Sequence, residues 1–248
     1  MPGDDLLYDI CQPENDARVA ELPEEWRQPD RPYDVGEGEV HVFSVLNESE
    51  FGPPRDLPHG GSTGDDRTVR ALLARLLMRP PHDIRLTRDD LGRQRWEAGP
   101  LGLAVCRDEG GLLVALARGL SVALSAVTVP CAVDAEALLP FSRTERAFAG
   151  EAAAGRRPLV LARMWARKEA ALRLAGRGAF ALAAEVDVMA VGPEGRVALP
   201  ASGPWSAGGV AYVRDLPAGA GTAAAVAASG PLRGAVFRRL RCPELAPA

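Results

Sequence analysis

Between Leu112 and Val133 the chain is almost continuously apolar, and the interruptions are Arg118, Gly119 and Pro130. A membrane-spanning helix needs about 20 uninterrupted apolar residues, and these breaks deny it that length. The stretch reads instead as consecutive buried strands. A sheet-containing fold follows, and the segments on either side say how helices are added to it.

Glu39 to Leu46 alternates in part and reads as the first strand. After a Gly/Pro-rich loop, Asp65 can cap a helix whose apolar residues Val69, Leu72, Leu73, Leu76 and Leu77 recur at helical spacing until Pro80-Pro81. Ile84–Thr87, Leu101–Val105, Leu112–Ala117 and Leu120–Val127 read as strands. A second unit opens with a short strand, Ala132–Ala135. Ser142-Arg143-Thr144-Glu145 has capping-box spacing and starts a helix. A longer helix runs from Leu159 to Ala175 and stops at Gly176-Arg177-Gly178. Strands are then expected at Glu185–Val191, Arg196–Leu199, Val210–Leu216, Thr222–Ala228 and Arg233–Leu240. Each half is strand, helix, then several strands, an α+β arrangement. The expected divisions are an acidic, Pro-rich extension over residues 1–38, an N-terminal lobe over 39–129 and a C-terminal lobe over 130–248.

Charge and cysteine usage limit the function classes. A net charge of −4 over 248 residues supplies no basic field for nucleic acid. Cys11, Cys106, Cys131 and Cys242 are scattered, with no C-x-x-C pair, and read as reduced thiols. The N-terminus lacks a basic-then-apolar leader, so the expectation is a cytoplasmic monomer without membrane contact.

Asp134 and Glu136 flank Ala135, and residues two apart in a strand point to one face. Trp165, Glu169 and Arg173 are spaced four apart on the long helix and form one stripe. Were that helix to pack near the Asp134 strand, three carboxylates would converge. Mg²⁺ accepts one or two such carboxylates together with waters and phosphate oxygens. The same residues also read plainly as a half-exposed strand and a surface ion pair. Lys168, beside Glu169, is the one lysine among 29 basic residues.

The ordered set of motifs resembles the 4′-phosphopantetheinyl transferase superfamily, of the larger two-lobed type. Ala132-Val133-Asp134-Ala135-Glu136 resembles its Gly-(Val/Ile)-Asp-x-Glu motif. Trp165-Ala166-Arg167-Lys168-Glu169-Ala170 resembles Trp-x-x-Lys-Glu-Ala, and Phe141-Ser142-Arg143-Thr144-Glu145 resembles Phe-Ser-x-x-Glu. The resemblance implies a pseudo-twofold pair of α+β lobes with the site in the cleft between them. It implies transfer of the phosphopantetheine arm of coenzyme A to a serine of an acyl or peptidyl carrier protein. Asp134, Glu136 and Glu169 would hold Mg²⁺. Glu169 would also help to deprotonate the serine. Lys168 would pair with phosphate or brace the helix, and Arg67, Arg70, Arg93 and Arg107 would meet coenzyme A phosphates.

Two positions depart from the family pattern. Arg173 stands where the family carries a lysine, and a guanidinium does not give up a proton near neutral pH. Cys106-Arg107-Asp108 stands in place of Ser-His-Ser. These departures motivate a rival reading, a degenerate homologue that binds a carrier protein or coenzyme A. A third reading is an enzyme acting on carrier-bound thioesters, and no nucleophile–base pair supports it.

Overall fold

In a computed structural model, the structure describes residues 18–19, 32–46, 63–88, 94–97, 101–108, 111–129, 140–189, 195–201, 209–217 and 221–241. The fold is mixed α+β. Its strands are β1 (Arg18–Val19), β2 (Glu39–Leu46), β3 (Leu86–Arg88), β4 (Gln94–Trp96), β5 (Leu101–Asp108), β6 (Gly111–Arg118) and β7 (Val122–Thr128). β8 (Arg196–Leu199), β9 (Gly209–Leu216), β10 (Thr222–Ala228) and β11 (Gly234–Arg241) complete them. The helices are α1 (Thr63–Leu77), α2 (Arg143–Glu151) and α3 (Arg157–Ala175).

A five-stranded sheet has the order β1-β11-β2-β6-β5, and a four-stranded sheet has the order β7-β10-β9-β8. β3 and β4 pair as a separate ribbon. β11 runs parallel to β2, whereas every pairing in the four-stranded sheet is antiparallel. The sheets interleave in sequence. β7, which precedes residue 130, joins the second sheet, and the last strand returns to the first.

Alternating side chains explain the layering. On β6, Leu112, Val114 and Leu116 pack with Val69, Leu72 and Leu73 of α1, while Leu113, Ala115 and Ala117 face the other sheet. On β10, Ala224, Val226 and Ala228 meet the first sheet, and Ala223, Ala225 and Ala227 lie with α3. The layers are therefore α1, first sheet, second sheet, and α3 with α2. Strands buried on both faces lose the hydrophobic–polar alternation that marks a half-exposed strand. That accounts for the long apolar run from Leu112. The small side chains of β10 let α3 approach its sheet closely.

Helix ends follow the local chemistry. Ser142 and Glu145 form a reciprocal capping box at α2. Pro158 occupies the first turn of α3, and Gly176, with φ of 106°, ends it. At α1, Met78 takes a left-handed conformation with φ of 51°. The Arg79 amide then donates to the Ala74 carbonyl at 2.9 Å, closing the helix in the way a glycine usually does.

One expected strand is absent. Where Glu185–Val191 was read as a strand, a 3-10 segment spans Arg177–Glu185 and the chain from Val186 to Val188 pairs with no strand. The reason is hydrogen bonding. The Val188 amide donates to Glu145 at 3.0 Å, and the Ala183 and Val186 carbonyls accept from Lys168. Backbone groups satisfied by buried side chains have no need of a ladder. The strand expected near Ile84–Thr87 begins two residues later, at Leu86. Ala132–Ala135 lies outside the described residues. Among the described residues no helix is long and apolar enough to cross a membrane.

Part of residues 1–38 is fastened to the first sheet. Arg18–Val19 pairs with β11, and Val35 is buried. The Tyr33 amide donates to the Leu76 carbonyl at 2.7 Å. Arg238 donates to the Tyr33 hydroxyl at 2.9 Å, which lies 2.5 Å from His41 Nδ1, and His41 Nε2 lies 3.0 Å from Glu39. Every group in this chain is satisfied when His41 is neutral, with Nε2–H donating to Glu39 and Nδ1 accepting from Tyr33.

Burial lowers the pKa of His41 below its ordinary value, against a smaller opposing effect of Glu39. The unfolded chain therefore binds the imidazole proton first as pH falls below about 6.5. Stability contributed by neutral His41 is full above that pH and declines down to the folded pKa. Glu39, whose pKa is lowered by its bond to His41, acts only at more acidic pH. Thermal melts between pH 7.5 and 5 should show a falling midpoint, with a flatter profile for His41→Gln. Equal slopes in both proteins would mean that folding leaves the proton affinity of His41 unchanged.

Candidate functional site

The stripe expected on the long helix is present. Glu169 and Arg173 of α3 pair at 2.8 Å, and Trp165 lies one turn earlier, edge-on to Phe141 with centroids 6.0 Å apart. α3 packs across β7, β10 and β9, and its Glu169 face meets β7. Residues of β7 alternate. Val122 and Leu124 face the first sheet, while Ala123, Ser125 and Val127 lie toward α3.

Ser125 Oγ, fully buried, donates to Glu169 Oε2 at 2.5 Å. Arg173 Nη2 donates to Glu169 Oε1 at 2.8 Å. Arg173 Nη1 donates to the Leu124 carbonyl at 2.9 Å and lies 3.6 Å from Cys106 Sγ. β5 and β7 are edge strands of different sheets. The guanidinium thus ties α3 to both edges at the junction of the sheets.

Asp134 and Glu136 lie outside the described residues. The described strand against Glu169 is Val122–Thr128, and its two positions nearest that helix face are Ser125 and Val127. Of the three expected ligands the described residues include Glu169, whose carboxylate meets a hydroxyl and a guanidinium. Among the described residues no cluster of three His, Cys, Asp or Glu is formed.

Electrostatics agree with the contacts. Burial weighs against a charged Arg173, but Glu169 and Cys106 together outweigh it and raise the guanidinium pKa. Burial raises the Cys106 thiol pKa against the weaker pull of Arg173, which leaves the thiol protonated. Cys106 is free and buried, and it acts as a packed thiol rather than a nucleophile.

Lys168 lies inside the fold. It has no exposed surface and faces away from the Glu169 stripe. Its ammonium reaches Glu145 Oε2 at 2.6 Å, the Ala183 carbonyl at 2.9 Å and the Val186 carbonyl at 2.5 Å. Three donors meet three acceptors on two segments, α2 and the chain that leaves α3. A planar guanidinium cannot reproduce that radial pattern, a physical reason for a lysine at this position in an arginine-rich chain. Of the expected roles, phosphate ligand or brace, the geometry is that of a brace.

The arginines divide between faces. Arg107 follows Cys106 on β5, and Leu103 and Val105 turn to the α1 side of the first sheet, so Arg107 shares that side. It is exposed, as is Arg67, and Arg70 of the same helix is half-buried. Arg107 is therefore on the opposite face of the sheet from Cys106 and the Glu169–Arg173 pair. Arg93 lies outside the described residues.

Two functional features escaped sequence reasoning. Ser125 is the one strongly polar residue within Val122–Leu124 and its continuation to Val127, a signal masked by the acids at 134 and 136. Arg167 forms a bidentate buried bond to Asp215, both contacts 2.6 Å, locking α3 to β9. No family model matches the chain, and no curated protein matches it.

Removing the Lys168 ammonium leaves a buried Glu145 carboxylate uncompensated. Lys168→Met should lower stability by about 3–5 kcal/mol in denaturant unfolding. Pairing it with Glu145→Gln should recover part of that loss. If the double variant is as unstable as the sum of the singles, the two residues do not act as a pair.

Proposed function

We propose that the chain is a 4′-phosphopantetheinyl transferase-like protein that binds coenzyme A without transferring its arm. Two α+β lobes in pseudo-twofold relation would form its cleft. The motif order Phe141-Ser142, Trp165 to Ala170, then Gly176 supports that kinship. The arrangement of two sheets, each covered by a helix on its outer side, is compatible with it.

One observation carries the loss of transfer. Both oxygens of Glu169 are bound within the protein, by Ser125 and Arg173, at the place where the resemblance calls for a carboxylate cluster. Arg173 does not release a proton near neutral pH, so it cannot serve as a base.

Ligand recognition then rests on the α1 side of the first sheet. Arg67, Arg70 and Arg107 share that side, and guanidinium groups hold phosphate by paired, charge-assisted hydrogen bonds. Coenzyme A, with three phosphates, is the ligand the resemblance supplies. A carrier protein remains the natural partner for whatever the protein presents.

Calorimetry of the full chain with coenzyme A, in Mg²⁺ and in chelator, tests the reading alongside intact-mass measurement of apo carrier proteins. Binding should be equal in both conditions, and no carrier should gain a phosphopantetheine mass. Arg67→Ala with Arg70→Ala should weaken binding about a hundredfold or more, as expected for losing two contacts worth about 1.5–3 kcal/mol each. A Mg²⁺-dependent mass gain on any carrier would restore the transferase reading and overturn this one.

A further inference from the structure

The hydrogen-bonded chain from Arg238 through Tyr33 and His41 to Glu39 joins parts of the fold that are held very unequally. Glu39 and His41 stand on β2 and Arg238 on β11, and strand ladders fix both backbones. Tyr33 stands on residues 32–38, a strap that forms one isolated bridge, Glu37 with Arg118, and no ladder among the described residues. Its other fastenings are few. The Tyr33 amide meets the Leu76 carbonyl of α1, the Gly38 carbonyl accepts from Arg233 at 2.8 Å, and Val35 is buried. Asp34 pairs with Arg118 at 2.7 Å on an exposed surface, where an ion pair contributes little. Segments held this sparsely open locally, at a lower free energy than the ladders beneath them.

The two ends of the chain fix the direction of every bond in it. A guanidinium only donates and a carboxylate only accepts. The Tyr33 oxygen therefore accepts from Arg238, its hydrogen goes to His41 Nδ1, and His41 Nε2–H goes to Glu39. Burial raises the Tyr33 pKa, so the hydroxyl keeps that hydrogen. A proton added at Nδ1 breaks the order. The Tyr33 oxygen then faces two donors, and its own hydrogen loses its acceptor. The imidazolium also stands against the Arg238 cation. Glu39 and Asp34 attract the new charge, but both carboxylates reach solvent, and burial outweighs them. The neighbouring strands place apolar residues opposite His41, Leu116 on β6 and Val236 on β11. α1 brings the basic Arg75 in its last turn.

We propose that residues 32–38 are a pH-operated strap, which protonation of His41 detaches at Tyr33 while β2 and β11 stay paired. Opening admits water to Nδ1, so the open form binds the proton more tightly than the closed one. Its population then rises as pH falls below about 6.5. One proton per opening limits that rise to about tenfold per pH unit. Coenzyme A plays no part in the switch.

Native-state amide hydrogen exchange of the full chain, read by NMR and corrected for the intrinsic pH dependence of exchange, tests it. Between pH 7.5 and 5.5 protection of the Tyr33 amide should fall about fivefold or more, while the β2 amides keep theirs. His41→Gln can accept from Tyr33 and donate to Glu39 without titrating. In that variant Tyr33 protection should stay within about twofold over the same range. In the parent, the His41 ring resonances should titrate over the range in which protection is lost, a readout that needs no variant. Tyr33 protection independent of pH, a parallel loss along β2, the same loss in His41→Gln, or a ring titration outside that range would each overturn the proposal.

Discussion

The Lys168 ammonium holds together three segments that no strand ladder joins. Glu145 belongs to the first turn of α2, Lys168 to the middle of α3, and Ala183 and Val186 to the chain that leaves α3. Glu145 extends the connection. Its Oε2 accepts the Ser142 amide at 2.7 Å, and its Oε1 accepts the Val188 amide at 3.0 Å. A fully buried charge pair is tolerable only when its remaining hydrogen-bonding capacity is met, and here it is met by backbone groups that would otherwise be orphaned. The brace sets the rotation of α3. With Lys168 turned inward to α2, Glu169, about 100° further round the helix, is turned to β7.

That rotation explains how one helix serves both halves of the molecule. Lys168 fixes it to the C-terminal segment, Arg167 fixes it to β9 through Asp215, and Arg173 reaches past β7 to β5. Consecutive residues on a helix point about 100° apart, so Arg167, Lys168 and Glu169 can address three different neighbours. The cluster of charge that reads in sequence as a single catalytic motif is distributed in space over three contacts, two of them structural.

Much of the architecture was legible because local chemistry and tertiary packing agree. The strand Glu39–Leu46, the capping box at Ser142 and the glycine stop at 176 follow from patterns that need no distant partner. The stripe of Trp165, Glu169 and Arg173 follows from helical spacing alone. The segment after Glu185 was misread because valines favour strands, while the backbone bonds that decide the matter come from side chains 18 and 43 residues away in sequence. The contact of Ser125 with Glu169 went unseen for a related reason. Only the pairing of β7 with β10 puts Ser125 under the helix, and no local pattern announces it.

The replacement of a lysine by Arg173 has consequences beyond proton transfer. A lysine holds a phosphate or carboxylate as a mobile point charge on a flexible stem. The guanidinium of Arg173 is 37% exposed at its side chain and is engaged on both nitrogens, with Glu169, Leu124 and Cys106 as its neighbours. To take up a ligand phosphate it must first abandon a carboxylate and a backbone carbonyl, each left partly desolvated. The buried Ser125 hydroxyl would lose its acceptor as well if Glu169 followed. Reopening the junction therefore breaks several bonds together, whereas a lone lysine could move independently. The same plain chemistry that makes this junction a sound joint between sheets makes it a poor place to bind and release a charged group.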